Sequence, residues 1–167
     1  MTQPPQPEGI PRPIDLTSDD YFMGEALRLA RMAYEANEVP VGAVIVRDAR
    51  IIARAYNQVE LLKDATGHAE MLAITQAANA LGDWRLERCT LFVTKEPCPM
   101  CAGAIMLSRV TRLVFGVRDE RAGGAGSVFT ITSATGLNHV LEVQSGVKEI
   151  EARDLLQSFF RARRSDA

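Results

Sequence analysis

Residues 90–117 read TLFVTKEPCPMCAGAIMLSRVTRLVFGV. Thr90–Thr94 is a short run of β-branched and aromatic residues, the composition of a buried strand. Residues 99–108 begin on a proline and continue with small and straight-chain apolar residues, a helix with Pro in its first turn. Leu113–Val117 is a second strand. Upstream, residues 68–80 are rich in Ala, Met and Leu and read as a helix. Before it come two apolar runs, Val41–Val46 and Ile51–Tyr56, split by the polar turn Arg47-Asp48-Ala49-Arg50. Thr17-Ser18-Asp19 offers N-cap oxygens ahead of the periodic set Phe22, Ala26, Leu29, Ala30 and Ala33, and Pro40 is expected to end that helix. Downstream lie a loop over 123–127, a strand at Leu141–Gln144 and an amphipathic helix over Ile150–Arg161. Strands that alternate with helices predict an α/β domain with helices layered on the sheet.

The chain has 167 residues, 47% of them hydrophobic and 24% charged, enough for one domain with its own core. Five of its eight prolines fall in residues 1–13, so residues 1–17 are expected to be a flexible tail and 18–167 the domain. No apolar run approaches the roughly 20 residues of a membrane helix. No basic region precedes an apolar core at the start, so neither a membrane nor a secretory role is expected. The three cysteines, Cys89, Cys98 and Cys101, are too few and of the wrong parity for a disulfide framework. In a reducing compartment, the close pair reads as metal or redox chemistry.

The net charge of −2, from 19 basic and 21 acidic residues, argues against a protein that coats nucleic acid. The placement of charge says more. Sixteen of the basic residues are Arg, and they gather late. Residues 109–121 hold Arg109, Arg112, Arg118 and Arg121, and residues 153–164 hold Arg153, Arg161, Arg163 and Arg164. Arginine suits bidentate phosphate contacts, although clusters of this kind are commonly solvated faces.

His68-Ala69-Glu70 opens one helix and Pro97-Cys98-Pro99-Met100-Cys101 opens another. Two cysteines three apart on a first turn share a face, and the positive end of the helix favours their thiolates. With an imidazole they form a soft donor set suited to zinc. Cys89 is the remaining soft donor. The strand from Thr90 runs between it and Cys98, and seven extended residues at about 3.3 Å each span roughly 20 Å, out of reach. Three protein ligands leave a position for water, which is the catalytic pattern. Glu70 then stands beside the metal as a proton carrier rather than a ligand. Taken singly, the histidine could be a polar cap and the cysteine pair a redox or structural zinc motif. Their conjunction points to catalysis.

His-Ala-Glu followed by Pro-Cys-x-x-Cys resembles the signature of the zinc-dependent nucleobase deaminases. Within that superfamily the chain resembles the bacterial tRNA-specific adenosine deaminases over about residues 20–164. The likeness runs through Glu38–Val44, Asn57, Glu96-Pro97-Cys98, Cys101–Ala104, Ser108-Arg109, Phe115-Gly116, Arg118-Asp119, Gly126-Ser127 and the terminal Phe159-Phe160-Arg161 with Arg163-Arg164. The resemblance implies a three-layer α/β/α cytidine-deaminase-like domain around a mixed five-stranded sheet. It implies one Zn²⁺ per subunit on His68, Cys98 and Cys101, with Glu70 catalytic. Asn57 and the backbone at Ala69 would bind the substrate base, and Asn57 read alone would be an ordinary turn residue. The implied reaction is hydrolysis of adenosine to inosine at wobble position 34 of tRNA-Arg, in a cytoplasmic homodimer. Arg118, Asp119, Arg121, Phe160, Arg163 and Arg164 are the candidate contacts to the anticodon loop. Gly67 and Lys95 depart from the family pattern.

Two other functions compete. A guanine or other free-base or nucleotide deaminase shares the metal motif, and activity on guanine but not on a stem-loop would favour it. A non-catalytic, zinc-stabilised RNA-binding module would have no use for Glu70.

Overall fold

The computed structural model describes residues 14–165. Its elements run α1 (Asp19–Glu35), β1 (Gly42–Arg47), β2 (Arg50–Tyr56), α2 (Val59–Leu62), α3 (Ala69–Leu81), β3 (Cys89–Lys95), α4 (Pro99–Leu107), β4 (Arg112–Val117), a 3₁₀ turn at Ile131–Ser133, β5 (Glu142–Ser145) and α5 (Glu149–Ser165). Of the segment expected to be a tail, residues 1–13 lie outside the described residues. Asp15 to Ser18 form the turn that starts α1: Asp15 accepts from the Thr17 amide, and Ser18 caps the helix by accepting from the Tyr21 amide at 3.1 Å.

The five strands form one mixed sheet in the order β2-β1-β3-β4-β5. β1 is antiparallel to both β2 and β3, whereas β3, β4 and β5 run parallel. Asp48 and Ala49 both take positive φ, 49° and 59°, so the β1–β2 connection is a tight two-residue turn. The flanking arginines therefore belong to the strands and not to the turn.

Alternation along each strand builds two apolar layers. Val44, Val46, Phe92 and Val114 meet α1 through Phe22, Met23 and Ala26, while α5 packs beside α1 through Ala152 and Leu156. Ala43, Ile45, Leu91, Val93, Leu113 and Phe115 face the other way, onto Ala69, Ala73 and Ala77 of α3 and Ile105 and Met106 of α4. This is the expected three-layer α/β/α arrangement. It depends on a close approach at Gly42, where a Cβ would strike the Ala26 carbonyl and stand 2.5 Å from the Ala30 amide nitrogen. α1 lies on β1 backbone to backbone.

α1 does not run to Pro40. Asn37 adopts φ 60°, its amide donates to the Tyr34 carbonyl at 3.0 Å, and the Glu38 amide donates to the Ala33 carbonyl at 2.9 Å. These two bonds make a Schellman terminus, which stops the helix at Glu35 and turns Glu38 inward.

Candidate active site

Two helix starts meet at the carboxyl end of β3. His68 is the N-cap of α3 and Cys98 the N-cap of α4, with Pro99 in the first turn of α4, where it removes no intrahelical bond. Neither N-cap side chain caps its helix. Instead His68 Nδ1 lies 3.6 Å from Cys98 Sγ and 3.5 Å from Cys101 Sγ, and the three donor atoms all fall within 4.8 Å of one another. The polar-cap reading of His68 is thereby excluded. Cys89 begins β3, buried at its far end, with its thiol directed to the Glu87 carbonyl at 3.7 Å, and it takes no part in the cluster.

The electrostatics of the three donors favour a cation. The Cys98 thiol is held down to about 3, first by the Cys101 thiol that donates to it and then by His68, against the opposing effect of burial. Cys101 is pushed up, because losing its proton would set a second negative charge beside Cys98 in a buried place. A divalent ion relieves that conflict, since both sulfurs can then be thiolates. One imidazole and two sulfurs in this compact triangle are a fitting donor set for zinc.

Glu70, in the first turn of α3, is 4% exposed, and burial pushes its carboxyl up. It lines a cavity of about 420 Å³ together with His68, Cys98, Asn57, Lys95, Phe160 and Arg163. Ala69 is fully buried between His68 and Glu70. Asn57 leaves the end of β2 and is 6% exposed. Its amide donates to Glu38 Oε2 at 3.3 Å, which leaves the amide oxygen and one N–H for another partner.

Two carboxylates that shape the cavity carry no role in the sequence reading. Glu38, 1% exposed, accepts from Asn57 and from the Glu60 and Leu61 amides at 3.1 and 2.7 Å, fixing both the side chain and the short helix α2. Glu96, 2% exposed, accepts from the amides of Asp119, Ala125 and Ser127 and from the Ser127 hydroxyl. It organises residues 119–127 over the cysteine helix. A Cβ at Gly123 would collide with its carboxylate, so any side chain there would push Glu96 out of its hydrogen bonds. Most of their partners are backbone amides more than twenty residues away, for which a sequence carries no local signal.

The remaining candidates gather in an adjoining groove of about 870 Å³, lined by Arg118, Asp119, Arg121, Arg161 and Arg164 among others. Its wall holds seven basic and two acidic residues, and it shares Lys95, Phe160 and Arg163 with the first cavity. Arg163 is tethered: its guanidinium lies 4.9 Å above the Phe159 ring and donates to the Asn37 carbonyl. Arg112 and Arg109, counted with this cluster in the sequence, point elsewhere. Arg112 makes a two-armed ion pair with Asp19 at 2.7 Å, and Arg109 bonds Asn138 at 3.0 Å.

Fold and site define the class as a deaminase, and the family model for MafB19-like deaminases matches residues 17–164. A tRNA-specific adenosine deaminase of Bacillus subtilis is 49% identical over 146 residues, covering 87% of this chain and 91% of the relative. The enzyme of that name from Aquifex aeolicus is 47% identical over 147 residues, covering 88% and 97%. The chain belongs to the tRNA-specific adenosine deaminases, a family of enzymes. A solved structure from studies of A-to-I editing by tRNA:A34 deaminases superposes with a TM-score of 0.79 at 44% identity, covering 81% of this chain and 99% of that one. A guanine deaminase from Nitrosomonas europaea shares the fold at a TM-score of 0.77 and 24% identity, covering 95% and 98%.

Proposed function

We propose that this enzyme converts adenosine to inosine at the wobble position of tRNA, tRNA-Arg in the first instance, with one zinc ion held by His68, Cys98 and Cys101. The observation that carries the reading is the placement of buried Glu70 beside that donor set, in a cavity that opens onto an arginine-lined groove. Bound there, zinc supplies the Lewis acidity that makes water a nucleophile near neutral pH. Glu70 accepts a proton from the attacking water as the new C–O bond forms at C6, and passes it to N1 of the purine. Glu70 then carries the proton of the new C6 hydroxyl to the exocyclic amine, and as the C6 carbonyl forms the C6–N bond breaks and ammonia leaves.

Asn57, steadied by Glu38, hydrogen-bonds the purine, and the Ala69 backbone at the helix start faces the reacting edge. A loop nucleotide can be taken from its stack at low cost, which suits an enzyme without a large basic excess. Arg118, Asp119, Arg121, Phe160, Arg163 and Arg164 are the contacts to the anticodon loop. Among the described residues no helix is long and apolar enough to cross a membrane. The reading takes the enzyme to be a cytoplasmic homodimer. The test measures inosine from an anticodon stem-loop of tRNA-Arg carrying adenosine 34, beside turnover of guanine and free adenosine. Inosine in the stem-loop with negligible turnover of either small substrate is the expected result. Turnover of guanine alone would overturn the reading in favour of a free-base deaminase.

A further inference from the structure

Lys95 is one of three lysines in the chain and ends β3 at the seam between the two cavities, lining both. Its ammonium is ion-paired with Asp119, whose other carboxylate oxygen accepts the Arg121 and Ala122 amides. Asp119 is thus fixed to its loop, and the ammonium is fixed to Asp119. A lysine ammonium has three donors, and among the described residues only Asp119 takes one. Two N–H groups remain for a ligand, on a side chain that is 30% exposed.

The surroundings say what that ligand is. Four acidic residues, Glu38, Glu60, Glu70 and Glu96, are among those that line the base cavity. A nucleoside that enters it on a sugar–phosphate chain brings a phosphodiester past that wall, where repulsion needs a local cation to offset it. Arg163 reaches the same seam from α5, where the Asn37 carbonyl and the Phe159 ring hold it, and Lys95 reaches it from the end of β3. We infer that Lys95 is a phosphate-binding residue, gripping a phosphodiester oxygen next to the reacting nucleoside where the RNA backbone turns from the arginine groove into the base cavity. The inference rests on the tRNA reading above and adds to it the residue that admits the backbone to an acidic mouth.

The experiment compares the zinc-loaded full chain with Lys95→Met and Lys95→Arg. Inosine formation on the adenosine-34 stem-loop is followed from about 50 to about 200 mM salt. Lys95→Met is expected to raise KM about fivefold at the lowest salt and leave kcat within about twofold. Its plot of log kcat/KM against log salt should flatten by about 0.7 to 0.9, the signature of one lost phosphate contact. Lys95→Arg should keep the parent slope. A Lys95→Met slope equal to that of the parent overturns the assignment, whatever happens to its melting temperature, and so does an Arg variant that flattens like Met. Failure of the parent itself to form inosine overturns both the assignment and the tRNA reading, which separates the two cases.

Discussion

Replacing Glu96 by Gln tests whether this buried carboxylate holds the loop over the metal-ligand helix. One oxygen accepts the Ala125 and Ser127 amides at 3.1 and 3.0 Å, and glutamine's carbonyl can retain both bonds. The other accepts the Asp119 amide at 2.9 Å and the Ser127 hydroxyl. In glutamine that second atom becomes an NH₂ group. The hydroxyl can rotate and accept from it, but the Asp119 amide loses its acceptor and meets a donor. An orphaned buried amide costs about 1–3 kcal/mol, and the surviving bonds lose their charge assistance. The sum is about 2–3 kcal/mol. For a domain of this size each kcal/mol moves Tm by about 2–4 °C, so Tm should fall by about 5–10 °C. Calorimetry of the zinc-loaded protein measures it, with Glu35→Gln on the exposed face of α1 as the control expected to shift by only about 1 °C. Amide exchange in residues 119–127 should rise in parallel. A Glu96→Gln protein that melts within about 2 °C of the control would refute the anchoring role.

Gly42→Ala should destabilise the fold by about 3 kcal/mol or more, because the new methyl group meets rigid helix backbone rather than a side chain that can swing away. Chemical denaturation checks it, and a loss under about 1 kcal/mol would mean α1 can shift off β1. Arg164→Glu should weaken stem-loop binding by several-fold with zinc content and Tm unchanged, since Arg164 is an exposed residue of the groove. Arg163→Glu should do the same and also lower Tm by a few degrees, because it removes the tie from α5 to the Asn37 carbonyl. Equal stability of the two variants would show that the tether carries no weight.

The donor triad was legible because its chemistry is local. A histidine at one helix start and two cysteines three apart at another constrain each other before any fold is known, and strand length alone removed Cys89. The layering was legible too, because the apolar strand runs Val41–Val46 and Thr90–Thr94 alternate along the chain with helical segments. Glu38 and Glu96 were visible only as part of a resembling pattern. A glutamate in isolation reads as a solvated charge, and what makes these two structural is a set of amides brought to them by the fold. The end of α1 was misplaced for a related reason: Pro40 is a conspicuous breaker, whereas the stop at Asn37 lies in a backbone conformation. Charge counting found the arginine segments but not their partition. Arg112, at the start of β4, pairs with Asp19 at the start of α1, while Arg118 and Arg164, 46 positions apart in sequence, share one groove.

Glu70 offers the most direct test of the deaminase centre. Parent and Glu70→Gln proteins, each brought to one zinc per chain by metal analysis, are compared for ammonia and inosine release from the adenosine-34 stem-loop. The variant keeps the volume of the side chain and all three metal donors but can no longer carry the proton. Equal zinc with a rate lower by a factor of about 10³ or more is the predicted result. A Glu70→Gln enzyme with full zinc and more than about a tenth of the parent rate would contradict the account.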